Sequence, residues 1–130
     1  MSKRALNKDD KLRHEIMGIV PDYLFDLRNY DKVSLETLDN LIENNFVDLA
    51  CKFNYSPAIN DYRDFMERHK NERVFLHGFI TSIERDDYGF YVEGLVGYSN
   101  DKAFIIEFAN LFHNADEFEC SDGYQRCWYD

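Results

Sequence analysis

The chain contains 130 residues, of which 45% are hydrophobic and 16% aromatic, so it is too apolar for a disordered segment and has the usual length of one folded domain. Its formal net charge of −10 argues against direct nucleic-acid binding, because phosphate backbones are bound mainly through lysine and arginine. The sequence has no apolar run of about 18 residues and no secretory signal, so we expect a single cytoplasmic domain over residues 1–130 without membrane contact.

The first part of the chain, residues 1–70, is predicted to form three or four helices. Between residues 8 and 27, apolar side chains recur every three or four positions, which is the pattern of an amphipathic helix. Pro21 interrupts this pattern and either kinks one long helix or begins a second helix as its first residue. Further helices are predicted after Ser34 and after Ser56, since each serine can cap an apolar pattern of helical spacing.

The second part of the chain, residues 71–130, begins with a pattern that alternates at every second residue. Residues 74–83 carry large apolar groups on both faces and therefore predict a strand in the interior of a sheet. Residues 90–98 are predicted to return antiparallel to it after a polar turn. Gly94 and Gly97 in the returning strand indicate a bulge or a close backbone neighbour.

The end of the chain is predicted to contain one more helix and a second hairpin. Phe104 to Ala115 fit a helix that crosses the sheet, although residues 103–106 also fit a strand. A turn at residues 121–123 joins two short strands and leaves Trp128 close to the end of the chain.

The fold class that follows is α+β. We expect three or four N-terminal helices, followed by a small antiparallel sheet with one further helix packed on it, in the order β-hairpin, helix, β-hairpin. The helical part would be residues 1–70 and the sheet part residues 71–130.

The acidic residues are concentrated in the sheet part. Residues 71–130 contain 12 acidic and 4 basic side chains, a net charge of −8, whereas residues 1–70 contain 13 and 11, a net charge of −2. Tyrosine and tryptophan, which commonly anchor protein interfaces, are frequent in the same region. The sequence therefore predicts a non-catalytic interaction or regulatory protein whose acidic, aromatic-rich C-terminal half binds a basic protein. The residues predicted for this contact are Asp86, Asp87, Tyr88, Asp116, Glu117, Glu119 and Trp128.

Motifs for catalysis or cofactor binding are missing from the sequence. It has no glycine-rich phosphate loop, no HExxH and no nucleophile elbow, so no cofactor is predicted. The four histidines do not pair with one another or with cysteine at metal-ligand spacing, so no metal site is predicted. Three cysteines are an odd number and are expected to be reduced, although Cys120 and Cys127 could face each other across the last hairpin.

Two alternatives stay open at this level. The first is a small enzyme or ligand-binding domain with a pocket near His77, His113 and Asp116, since these polar side chains could converge between the last helix and the sheet. The second is a homodimer formed through a sheet edge or an exposed aromatic patch.

Overall fold

The computed structural model describes residues 5–20 and 25–130. The described helices are α1 (Asp10–Met17), α2 (Leu35–Glu43), α3 (Ile59–Arg68) and α4 (Lys102–Phe112). The described strands are β1 (Leu27–Val33), β2 (Val74–Thr81), β3 (Phe90–Gly97), β4 (Glu117–Ser121) and β5 (Tyr124–Trp128). The five strands form one antiparallel sheet in the spatial order β1-β2-β3-β5-β4. Within the described ranges, no helix is both long enough and apolar enough to cross a bilayer.

The core lies between one face of the sheet and helices α2, α3 and α4. Along β2, side chains alternate between buried and half-buried, as expected for a strand with one covered face. The helices fill the covered side with aromatic rings, and the Phe65 centroid lies 5.1 Å from that of Phe104 and 5.3 Å from that of Phe112. Leu38 and Leu41 of α2 are also fully buried. Helix α1 packs against α2.

Side-chain caps set where the helices begin. The Ser34 hydroxyl accepts a hydrogen bond from the Thr37 N–H at 3.2 Å and starts α2, as the sequence predicts. Helix α3 starts after Ala58, whose N–H donates to the Asp61 carboxylate at 3.1 Å, whereas Ser56 caps nothing in this helix. Asp101 caps α4 by accepting from the Phe104 N–H, so residues 103–106 are helical.

The predicted order of helices first and sheet second is only partly correct, because β1 belongs to the first part of the chain. Helix α1 ends at Gly18, which adopts a left-handed conformation with φ of 69°, so the helical pattern does not continue to Leu27. Pro21 lies outside the described residues. In β1 only Tyr30 and Val33 are buried. Because so few of its residues are buried and apolar, β1 is a strand through its pairing with β2 rather than through an alternating apolar pattern in its sequence.

The β2–β3 hairpin is confirmed and contains a bulge. His77 pairs with Gly94 and Gly78 pairs with Val92, so Glu93 is the extra residue on β3. A methyl group at Gly94 would overlap the carbonyl oxygen of Cys127 and lie 2.6 Å from the His77 ring. The predicted bulge and close backbone neighbour are both present.

The second hairpin, β4–β5, is also confirmed, and its register keeps the cysteines apart. Phe118 pairs with Cys127 and Cys120 pairs with Gln125, so the two cysteines are not opposite each other. Cys51, Cys120 and Cys127 are all free thiols.

Candidate functional site

The candidate site is the face of the sheet that α2, α3 and α4 leave uncovered, which we call the open face. Helix α4 packs on the opposite face, where Phe104 approaches Gly97 and Phe108 stacks on Phe118 at 5.6 Å. Half-buried side chains of three interior strands are directed to the open face: Phe75, His77, Phe79, Tyr91, Val96, Tyr124, Arg126 and Trp128. At the Phe79 end, Phe53 from the segment between α2 and α3 packs against this face, with its ring centroid 5.5 Å from that of Phe79.

A depression of about 390 Å³ lies on the open face. Strand β1 contributes Asp31 and Lys32 to its lining, and the interior strands contribute His77, Glu93 and Trp128. Its volume is within the range of small-molecule sites, and its lining mixes aromatic rings with charged groups.

His77 lies at the centre of the open face. Its ring crosses Gly94, and Nε2 lies 3.0 Å from the carbonyl oxygen of Cys127. Because a carbonyl oxygen can only accept, Nε2 carries the hydrogen and Nδ1 of the neutral ring is an acceptor. Burial lowers the pKa of His77 from its ordinary value, and the hydrogen bond to Cys127 opposes this effect. The neutral ring is therefore favoured near pH 7.

Glu93, the bulge residue, is the carboxylate nearest the middle of the sheet. Its backbone carbonyl accepts a hydrogen bond from the Tyr129 N–H at 2.8 Å, which fixes the end of β5 against β3. Partial burial raises the pKa of the Glu93 carboxyl, and the neighbouring Trp128 side chain opposes this rise.

Two cations beside the open face, Arg126 and Arg73, have partners within the chain, whereas Lys32, which also lines the depression, is exposed. Arg126 Nη1 lies 2.7 Å from Glu117 Oε1. The guanidinium of Arg73 lies 5.2 Å from the centroid of the Tyr98 ring and 5.9 Å from that of Phe75, which are cation–π distances.

Three of the residues predicted to bind a partner come together on the open face. Glu117 pairs with Trp128 and Glu119 pairs with Arg126 across the β4–β5 hairpin. Directly opposed residues share a face, so Glu117, Glu119 and Trp128 form one acidic and aromatic border of the sheet.

The predicted residues Asp86, Asp87 and Tyr88 lie elsewhere, in the connection that closes the β2–β3 hairpin. Strand β5 pairs with β3 only from Gly94 to Gly97, so this connection extends beyond the β4–β5 border. Asp87 receives two hydrogen bonds from Arg85, and these lower the pKa of its carboxyl.

Tyr88 has an internal role. Its hydroxyl donates to the carbonyl oxygen of Asn7 at 2.6 Å, and the Arg13 guanidinium lies 4.7 Å from the centroid of its ring. Asp86 is exposed.

Asp116, also predicted as a binding residue, anchors the C-terminus. Its Oδ2 accepts a hydrogen bond from the Asp130 N–H at 2.7 Å. A hydrogen bond from the Tyr55 hydroxyl is the main cause that lowers the pKa of the Asp116 carboxyl.

The alternative pocket near His77, His113 and Asp116 is not assembled. His113 caps the C-terminus of α4, with Nδ1 3.1 Å from the Asn110 carbonyl oxygen, and α4 covers the face of the sheet opposite to His77. Among the described residues, no group of three or more His, Cys, Asp or Glu side chains is arranged to hold a metal ion.

Sequence reasoning missed Glu93 and Arg126 as parts of this surface. The glycine at position 94 signals a bulge, but the residue that the bulge displaces depends on the pairing register. Comparisons with protein-family models, with curated proteins and with solved structures found no match to this chain.

Proposed function

We propose that this chain is a non-catalytic protein-interaction domain whose open face, at its β4–β5 border, binds a basic protein. The observation that carries the proposal is an uncovered sheet face on which Trp128 and Tyr124 stand beside the carboxylates of Glu117 and Glu119. Tryptophan and tyrosine supply contact area at low entropy cost, and carboxylates select cationic partners.

Among the described residues, most carboxylates of the C-terminal half have no ion-pair partner. Ion pairs between the described residues engage Asp87, Glu107 and Glu117, which are 3 of the 12 carboxylates of residues 71–130. The charge of −10 therefore supports electrostatic steering of a basic partner toward the molecule.

The test is affinity capture from a lysate with the purified chain at about 0.05 M and about 0.5 M NaCl, since screening weakens exposed charge contacts. Glu119→Lys reverses a charge at the β4–β5 border, and Glu43→Lys makes the same change at an exposed position of α2. We expect partners that are lost at high salt, retained by Glu43→Lys and lost by Glu119→Lys. Partners that bind equally well at both salt concentrations would contradict the proposal. So would partners that the Glu43→Lys and Glu119→Lys variants lose to the same extent.

A second candidate function is the binding of a small polar ligand in the depression on the open face. The observation in its favour is the fixed tautomer of His77, which leaves Nδ1 as an acceptor in a depression that Glu93 also lines. Ligand-detected NMR with a library of small polar fragments tests it against the variant His77→Gln. Fragments that bind the original chain and not the variant would support this function, and equal binding would exclude His77 from it.

A further inference from the structure

Strand β4 is an edge of the sheet with free backbone groups. Ser121 and Tyr124 close a two-residue turn, so they form a hydrogen-bonded pair, and such pairs then alternate along the hairpin. Phe118 and Cys120 consequently direct their N–H and C=O groups away from β5. Outside the strand pairing, no described residue forms a backbone hydrogen bond with these groups.

The two sides of this edge differ in chemistry. Glu117 and Glu119 are exposed on the open face, and only Glu117 has a described ion-pair partner. On the helix side, Phe118 is 39% exposed although it stacks on Phe108, and Cys120 contacts the Ile105 carbonyl oxygen of α4 at 3.8 Å. The edge therefore presents carboxylates on one side and apolar surface on the other.

We propose that β4 binds an extended segment of the basic partner as a sixth strand of the sheet. Lysine or arginine of that segment would lie opposite Glu117 and Glu119, and apolar residues would lie opposite Phe118 and Cys120. In strand addition the main chain supplies the hydrogen bonds, and alternate side chains supply the specificity. Opposite charges on facing residues stabilise such a pair. This inference rests on the proposed function, because it assumes that the partner is basic.

A second copy of this chain is a poorer occupant of the edge. The antiparallel self-pairing that uses all five residues of β4 is centred on Glu119, so it places Glu119 opposite Glu119 of the other copy. Like charges on facing residues are destabilising, which is also how edge strands avoid self-association. A cationic strand removes this repulsion.

The probe is a synthetic peptide of alternating lysine and valine, added to the isotope-labelled full chain. We expect binding that slows amide hydrogen exchange of Phe118 and Cys120 by about tenfold or more, because both N–H groups become hydrogen-bonded. A peptide with glutamate in place of lysine should not bind. Absence of binding, or binding that leaves these two amides unprotected, would overturn the inference, as would a dimer formed through β4.

Cys120→Pro provides a matched variant. Proline removes the outward N–H, which β4 does not use for pairing with β5, whereas Cys120→Ala removes the thiol and keeps the N–H. We expect the proline variant to bind the lysine–valine peptide about tenfold or more weakly and the alanine variant to bind within about twofold of the original chain. Equal binding by both would overturn the inference. If the proline variant does not fold, amide hydrogen exchange of Phe118 and Cys120 in the unaltered chain remains as the test of the inference.

The two proposals fail differently. A salt-sensitive partner could contact the open face without slowing amide exchange at Phe118 and Cys120. This result would support the proposed function and disprove strand addition at β4. Failure to capture any salt-sensitive partner would count against the proposed function itself.

Discussion

Two glycines make room for side chains that cross from one strand to the next. Over Gly94, the His77 ring reaches the carbonyl oxygen of Cys127 on the open face. Near Gly78, on the covered face, the Tyr30 hydroxyl donates to the carbonyl oxygen of Tyr91 at 2.6 Å. A side chain at either glycine would occupy the path of the crossing ring.

We expect Gly94→Ala to lower the free energy of unfolding by about 2 kcal/mol or more, because the new methyl group meets backbone and the His77 ring. Gly89→Ala is the control, since its methyl group would lie 3.3 Å from the nearest atom, in the Tyr91 side chain. Gly89→Ala should lower the free energy of unfolding by less than about 1 kcal/mol. Urea unfolding of both variants measures the difference, and similar values for the two would contradict this account of Gly94.

The stability of the fold should depend on pH through His77. Burial lowers its folded-state pKa below the ordinary value of 6.5, so the unfolded chain takes up a proton first as the pH falls. The stability that neutral His77 contributes to the folded state is fully present above about pH 6.5. This stability is lost as the pH falls toward the folded-state pKa of His77.

The measurement compares urea unfolding of the original chain with that of His77→Gln between about pH 7.5 and pH 5.5. The advantage of the original chain should shrink as the pH falls. Glu93, whose pKa is raised, is present in both proteins, so the comparison isolates His77. A difference that is constant across this range would show that His77 does not resist protonation.

At the scale of elements, helix α1 depends on one buried arginine. Arg13 is 1% exposed, and its guanidinium donates to the carbonyl oxygens of Thr81 at 2.9 Å and Gly89 at 3.4 Å. It also forms an ion pair with Asp10 at 2.8 Å. Since a helix of 8 residues is not stable by itself in water, these contacts hold α1 on the end of the β2–β3 hairpin.

Arg13→Met should lower the free energy of unfolding by about 2–4 kcal/mol, because it leaves the buried Thr81 carbonyl without this donor and the Asp10 carboxylate without its ion-pair partner. The Gly89 carbonyl keeps its hydrogen bond from the Thr81 N–H. Arg13→Lys keeps the charge but not the forked geometry, so it should recover only part of this loss. Urea unfolding gives the magnitude, and hydrogen exchange over residues 10–17 reports whether α1 detaches. A cost below about 1 kcal/mol for the methionine variant would contradict the anchoring role.

The elements that the sequence predicts correctly are those whose own pattern decides their structure. Helices α2 and α4 have clear apolar spacing, and the β2–β3 and β4–β5 hairpins have alternating strands joined by turn residues. Strand β1 could not be found in this way. Its residues from Arg28 to Lys32 are mostly polar, and it becomes a strand because β2 offers an unpaired edge.

At the scale of the whole molecule, the packing of the helices on one face creates the candidate site. The grouping of Glu117, Glu119 and Trp128 follows from the predicted hairpin, because facing residues share a side of the sheet. The separation of Asp86 from this group, and that of His113 from His77, depends on strand order and on the face that α4 covers. Neither property can be inferred from the spacing of residues in one chain.

The most direct measurement is the hydrogen-exchange footprint of a captured basic partner on the full chain. Protection should appear at residues 117–121 and 124–128, with little change in α2 and α3, because the β4–β5 border lies on the side of the sheet that these helices leave open. Protection confined to the helices or to the connection at residues 82–89 would contradict the central claim that the open face binds the partner.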